Sequence, residues 1–232
     1  MQDREELQDT EELHLGHFAW LLYASQHYHA AEKFAYSSTL QSIFDCERWA
    51  LLSEIYRKLG NLNEASRTAQ VAIRTDAKNY LGYRAKAIAE YENKDVERVL
   101  GLLLVVHDMD PENKEMNLIF EKVKANQPID FPLLFFGKTD ADAASLISEI
   151  ETAFAADKSP ENTFAMAVAC HSKDDNENAE KYYRSAIQME PTVGAYHVGL
   201  ISLLRQGTDI QALSAALAIA RSPDIEDFDE PV

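Results

Sequence analysis
Cysteine is scarce. The 232 residues include two, Cys46 and Cys170. Two cysteines exclude a disulfide-dense scaffold and any four-cysteine metal site. Basic residues are also few, with 22 Lys and Arg against 39 Asp and Glu, a formal charge of −17. That balance argues against nucleic acid and anionic membrane as main partners, since both need a positive contact surface. Long apolar runs are missing. The most apolar stretch, Val99 to Val106, is too short to span a bilayer. The first residues are acidic rather than basic, so no secretory leader is expected and the cytoplasm is the default location. No strict apolar–polar alternation suggests strands, and glycine is rare inside the amphipathic stretches.

What is present is a folded composition, 46% hydrophobic and 26% charged. A chain of this length buries a sizeable core without metal or disulfide. The acidity is uneven. Residues 1–12 hold six acids and one base, and the last nine hold five acids and no base. With both ends set aside a net of −7 remains. Residues 1–11 and 224–232 therefore read as solvated acidic tails.

The chain repeats itself. In Trp49-Ala-Leu-Leu-Ser53-Glu-Ile-Tyr56, an aromatic, a leucine, a small residue and a tyrosine fall at helical spacing. A turn at Gly60-Asn61 follows, then a second helix with Ala65, Ala69 and Ala72 on one face. A shift of 34 residues brings Ala19, Ser53 and Ala87 into register, and likewise Ala31, Ala65 and Val99. Turns fall at Gln26-His27, Gly60-Asn61 and Asn93-Lys94, and Pro111 closes the third unit. Near the C-terminus, Pro160 starts a similar unit with Ala167, Ala179, Tyr183 and Ala186, closed by Pro191. A last unit from Gly194 departs from the pattern, because Ile201 and Leu213 stand where small residues belong.

These segments resemble the tetratricopeptide repeat, a 34-residue helix–turn–helix unit. The resemblance implies an all-α fold, an α-solenoid of stacked antiparallel helix pairs. Residues 12–126 are expected to hold three tandem repeats plus an extra helix. Residues 127–159 are either a degenerate repeat or a hinge, with a helix over 141–156 capped by Thr139 and Asp140. Residues 160–223 hold two further repeats, the last a capping unit.

Family geometry implies that the first helix of each unit lines a concave face. That places Leu13, Trp20 and Tyr23 on the face in the first repeat, Glu54 and Arg57 in the second, and Arg84, Ile88 and Tyr91 in the third. Phe164 and Val168 follow in the fifth, beside Glu161 and His171. Large apolar and aromatic residues on an open face mark a binding site, and arginine and aromatics are its usual anchors. The competing reading is that the protein's own helices or a second copy cover them.

The function implied is a non-catalytic protein–protein interaction module, an adaptor, scaffold or assembly factor that takes a peptide or helix into the groove. Arg57 and Arg84 would orient it. A relative of the repeat, the clamp for the C-terminal carboxylate of heat-shock chaperones, does not fit, because Glu54 would repel a carboxylate. The first three units also resemble the small chaperones of type III secretion translocators. The alternative function is thus a dedicated chaperone that shields an apolar client segment. Self-association through Phe131–Phe136 or a terminal repeat stays open.

Catalytic signals are weak. His14 and His17 lie one turn apart near Glu11, but no HExxH or paired CxxC motif is present. Gly137-Lys138-Thr139 lacks the upstream glycine of a phosphate loop. No serine sits in a nucleophile-elbow context. The expectation is no enzyme, no cofactor and no metal.

Overall fold
A computed structural model describes residues 15–127 and 142–225. Within them the regular elements are α-helices, and no β-strand is present. The helices are α1 (residues 15–24), α2 (Tyr28–Gln41), α3 (Cys46–Lys58), α4 (Leu62–Thr75), α5 (Tyr80–Glu92) and α6 (Val96–Met109). Then follow α7 (Lys114–Lys124), α8 (Ala143–Ala156), α9 (Pro160–Ser172), α10 (Asn176–Met189), α11 (Gly194–Leu204) and α12 (Ile210–Ala220). The described fold is all-α, as the repeat resemblance implies. Helix α8 begins after Asp142, and the expected caps Thr139 and Asp140 lie outside the described residues.

Most starts are set by a short polar residue whose side chain accepts an otherwise orphaned amide. Asp45 takes the N–H groups of Glu47 and Arg48, Asn79 that of Leu81, and Asp95 that of Arg98. Ser159, Asp175 and Asp209 do the same for α9, α10 and α12. The turns within α1–α2, α3–α4, α5–α6 and α9–α10 each carry one residue in the left-handed region. These are Gln26, Gly60 and Lys94, spaced 34 residues apart, and Asp174 in the C-terminal pair α9–α10. Gly60, at φ +80°, is the one glycine among them. Asn126 repeats the conformation after α7, so that helix ends as the first helix of a pair does.

By compactness the described chain forms two units. One combines residues 15–37 with residues 142–225, and the other holds residues 38–127. In the second unit α4 turns Ala65, Ala69 and Ala72 inward, all fully buried. Their small side chains let the paired helices approach closely. Ser53 Oγ donates to the Ala65 carbonyl at 2.8 Å, which ties α3 to α4. Between successive pairs Gly82 of α5 meets the α4 backbone. A Cβ there would lie 2.8 Å from Ile73 N. Beyond α5, Val99, Leu103 and Val106 of α6 pack with Met116, Ile119 and Val123 of α7.

The first unit has an aromatic core. Phe164 of α9 is its hub, with ring centroids 5.5 Å from Phe18 of α1, 5.8 Å from Phe34 of α2 and 5.7 Å from Tyr183 of α10. Tyr196 of α11 lies 4.8 Å away. The N-terminal pair α1–α2 thus packs its aromatics on the C-terminal repeats, although the 34-residue period places it in tandem with the pair that follows.

Candidate partner-binding surface
The structure moves the expected groove residues off an open face. Trp20 is 0% exposed and Phe164 3%, and Val168 is as fully buried as Trp20. Tyr23 is buried, its ring 5.7 Å from that of Tyr28. The physical reason is the aromatic core: α1 and α2 cover the first-helix face of the fifth repeat. Ile88 of α5 is buried as well. Leu13 lies outside the described residues, as do the Phe131–Phe136 segment and the Gly137-Lys138-Thr139 motif.

The charged candidates are spent on neighbouring helices. Arg57 Nε donates to the Glu54 carboxylate at 2.9 Å, and its fork also pairs with Glu92 of α5. Burial disfavours the guanidinium charge, but the hydrogen bond and charge of Glu54, with those of Glu92, outweigh it and raise the pKa of Arg57. Arg84 is buried, and its Nε donates to Glu115 of α7 at 2.6 Å. Its Nη2 has no hydrogen-bond partner among the described residues. The half-buried Tyr91 donates its hydroxyl to the Gln127 carbonyl at 3.0 Å. Arg57 and Arg84, expected to orient a ligand, join successive helix pairs in this structure.

A surface that the sequence pattern did not point to lies elsewhere in the second unit. Phe44 is 84% exposed, and Leu40 and Ile43 are each about half exposed. Ile43 and Phe44 sit on the short turn between α2 and α3. Trp49 Nε1 donates to the Ile43 carbonyl at 2.9 Å. Arg48 grips both sides of the turn, with Nη1 on the Ser38 carbonyl at 3.0 Å and Nε on Asp45 at 3.0 Å. A large apolar side chain is thus held out into water by a pinned turn. The signal in the sequence is an apolar pair directly before the N-cap Asp45, where a polar turn is usual. In the same unit Leu104, Val105 and Met109 of α6 and Leu118 of α7 are also exposed.

The thiols are not activated. Burial pushes the Cys46 thiol up to about 11, and burial also raises that of Cys170. Both cysteines are free, and neither is a thiolate nucleophile near neutrality. No group of three His, Cys, Asp or Glu side chains could hold a metal ion among the described residues. Nor is any described helix long and apolar enough to cross a membrane.

Known proteins supply the remaining comparison. The model of the tetratricopeptide repeat matches residues 47–79 and 164–193. No curated protein matches the chain. Among solved structures, the chain is similar to a thermophilic TPR protein of Thermus thermophilus. Identity is 19%, coverage is 90% of this chain and 98% of that one, and the TM-score is 0.46. It is also similar to a tetratricopeptide repeat protein from Parabacteroides merdae, at 15% identity, with 90% and 77% covered and a TM-score of 0.42.

Proposed function
We propose that this chain, two segments of which match the tetratricopeptide repeat, is a non-catalytic interaction module whose partner contact centres on Phe44, with Leu40 and Ile43 beside it. One observation carries the reading. Phe44 is 84% exposed on a turn fixed by the hydrogen bonds of Arg48 and Trp49. A hydrated aromatic gains nothing for the isolated fold, whereas burial in a partner would stabilise a complex by about 2–3 kcal/mol. A pinned turn loses little conformational entropy on binding, which favours affinity. The anchor is apolar, so the partner supplies an apolar pocket or helix face. The acidic chain selects against polyanions through repulsion.

The test is a crosslinked pull-down from native lysate, read by mass spectrometry, with wild type, Phe44→Ser and Leu118→Ser compared. Phe44→Ser should leave stability within about 0.5 kcal/mol, as expected of an exposed site. It should lose one or two proteins that Leu118→Ser retains. An identical protein set from wild type and Phe44→Ser would sink the reading.

A further inference from the structure
The structure assigns to His27 and His171 the role of an acid-sensitive latch that holds the N-terminal pair α1–α2 on the C-terminal repeats. Both rings lie within the first unit. His27 sits in the turn between α1 and α2, and His171 near the end of α9. Their centroids are 5.1 Å apart, and His171 is fully buried. The neutral ring is satisfied on both sides. Its Nδ1 lies 3.3 Å from the Tyr183 hydroxyl of α10, and its Nε2 lies 3.1 Å from Gln206 Nε2, just after α11. Tyr183 and Gln206 can each donate or accept, so both contacts serve a neutral ring.

A second proton on His171 would place a charge in a fully buried site, which burial opposes. The surrounding charges supply little relief. Asp174 is the nearby carboxylate, its Oδ1 3.6 Å from His27 Nε2 and its side chain mostly in water. Lys173 is paired with Glu151 of α8 at 2.6 Å. Asp175 and Glu151 act on Cys170, and Cys170 and Tyr183 stay neutral under burial. Two imidazolium rings this close would repel, with a single exposed carboxylate to offset them. Burial first, and then the charge of His27, lower the pKa of His171 from 6.5 to about 4, against the Gln206 hydrogen bond and the charge of Asp174, which raise it.

The docking is also incomplete in its hydrogen bonds. Trp20 Nε1 and His27 Nε2 are buried without hydrogen-bond partners among the described residues. Two such groups weaken the docked state relative to its apolar burial. The docked ring takes up its proton about 2.5 pH units lower than a released one. Between those values the released form binds more protons, so each lost pH unit favours release by up to about tenfold. From pH 7.5 to pH 5.0 the release constant rises roughly 30-fold. Release would bare Phe164 and Val168, the first-helix face of the fifth repeat.

The two tryptophans report on separate units, Trp20 on α1 and Trp49 on α3. In full-length Trp49→Phe, urea titration by Trp20 emission should give a release constant about 30-fold larger at pH 5.0 than at pH 7.5. In Trp20→Phe, the Trp49 transition should hardly move. Adding His171→Gln to the first variant should cut the ratio below about threefold. Should His171→Gln not fold, His27→Gln serves in its place, since it removes the repelling ring and must lower the ratio. A flat Trp20 response overturns the latch. So does an equal acid shift at Trp49, or a ratio that survives both histidine substitutions.

Discussion

Two glycines in the second unit pose a test of sign. Gly82 and Gly101 both lie in helices, α5 and α6. Neither has a positive φ. Helix propensity alone predicts that alanine stabilises either site by about 0.5–1 kcal/mol, by reducing the freedom of the unfolded chain. At Gly101 a Cβ would meet nothing within 4 Å, so propensity acts unopposed. At Gly82 the Cβ would lie 2.8 Å from Ile73 N, 3.1 Å from the Ala72 carbonyl carbon and 3.1 Å from Ile73 Cγ1. Two of those atoms are α4 backbone, which cannot swing aside as a side chain can. Overpacking of this kind costs about 1–3 kcal/mol. Set against the propensity gain, Gly82→Ala should destabilise the unit by about 1–2 kcal/mol. Gly101→Ala should stabilise it by about 0.5–1 kcal/mol. The assay is urea unfolding followed by Trp49 in a Trp20→Phe background. Opposite signs support the close α4–α5 contact. If Gly82→Ala proves as stabilising as Gly101→Ala, the helices are further apart than described and the reasoning fails.

Two further predictions rest on buried groups. Glu90 accepts from Ser66 Oγ at 2.6 Å and pairs with Lys86 at 3.2 Å and Arg98 at 3.3 Å, so Glu90→Gln should cost about 2–4 kcal/mol by Trp49 unfolding. Burial works to raise its pKa, but the hydrogen bonds of Ser66 and Lys86 and the charges of Lys86 and Arg98 win and lower it. This contribution is present above the ordinary value of 4.5 and is lost as pH falls below it, so wild type and Glu90→Gln should converge in acid. Phe164→Ala removes the hub of the aromatic core and should cost about 3–5 kcal/mol in the Trp20 transition, while the Trp49 transition stays in place.

The helices are legible in the sequence because their signals are local. Ala65, Ala69 and Ala72 announce a close-packed face within one sequence window, and Ser53 falls where α3 must approach α4. The turns at Gln26, Gly60 and Lys94 keep the 34-residue period even where the residue is not glycine. Gly82 carries no such signal. Its importance depends on the path of the preceding α4 backbone, which no pattern inside α5 records. The partner of the N-terminal pair is hidden for the same reason. A tandem period fixes how two helices pair. It leaves unspecified which other pair receives their outer aromatics, since Phe18 and Phe34 would suit any apolar surface of the right size.

The burial of the expected groove residues reflects that same ambiguity. Trp20, Tyr23, Phe164 and Val168 exceed what the repeat pattern needs for its own packing, which suggests ligand anchors. Surplus apolar surface does demand burial, but the demand does not name the cover. Here Phe18 and Phe34 meet it from within the chain. The arginines carry a parallel lesson. A guanidinium on a first helix can clamp a ligand carboxylate or a carboxylate on the next helix, and Glu92 and Glu115 sit within reach of Arg57 and Arg84. Intramolecular pairing carries no translational entropy loss, so it outcompetes a ligand group of equal chemistry. What distinguishes Phe44 is that its ring stays outside the packing. Its turn is held by backbone carbonyls and Asp45, and its ring remains in water. A residue whose surroundings are fixed and whose own surface is unburied is a stronger candidate for a partner than one that is merely large.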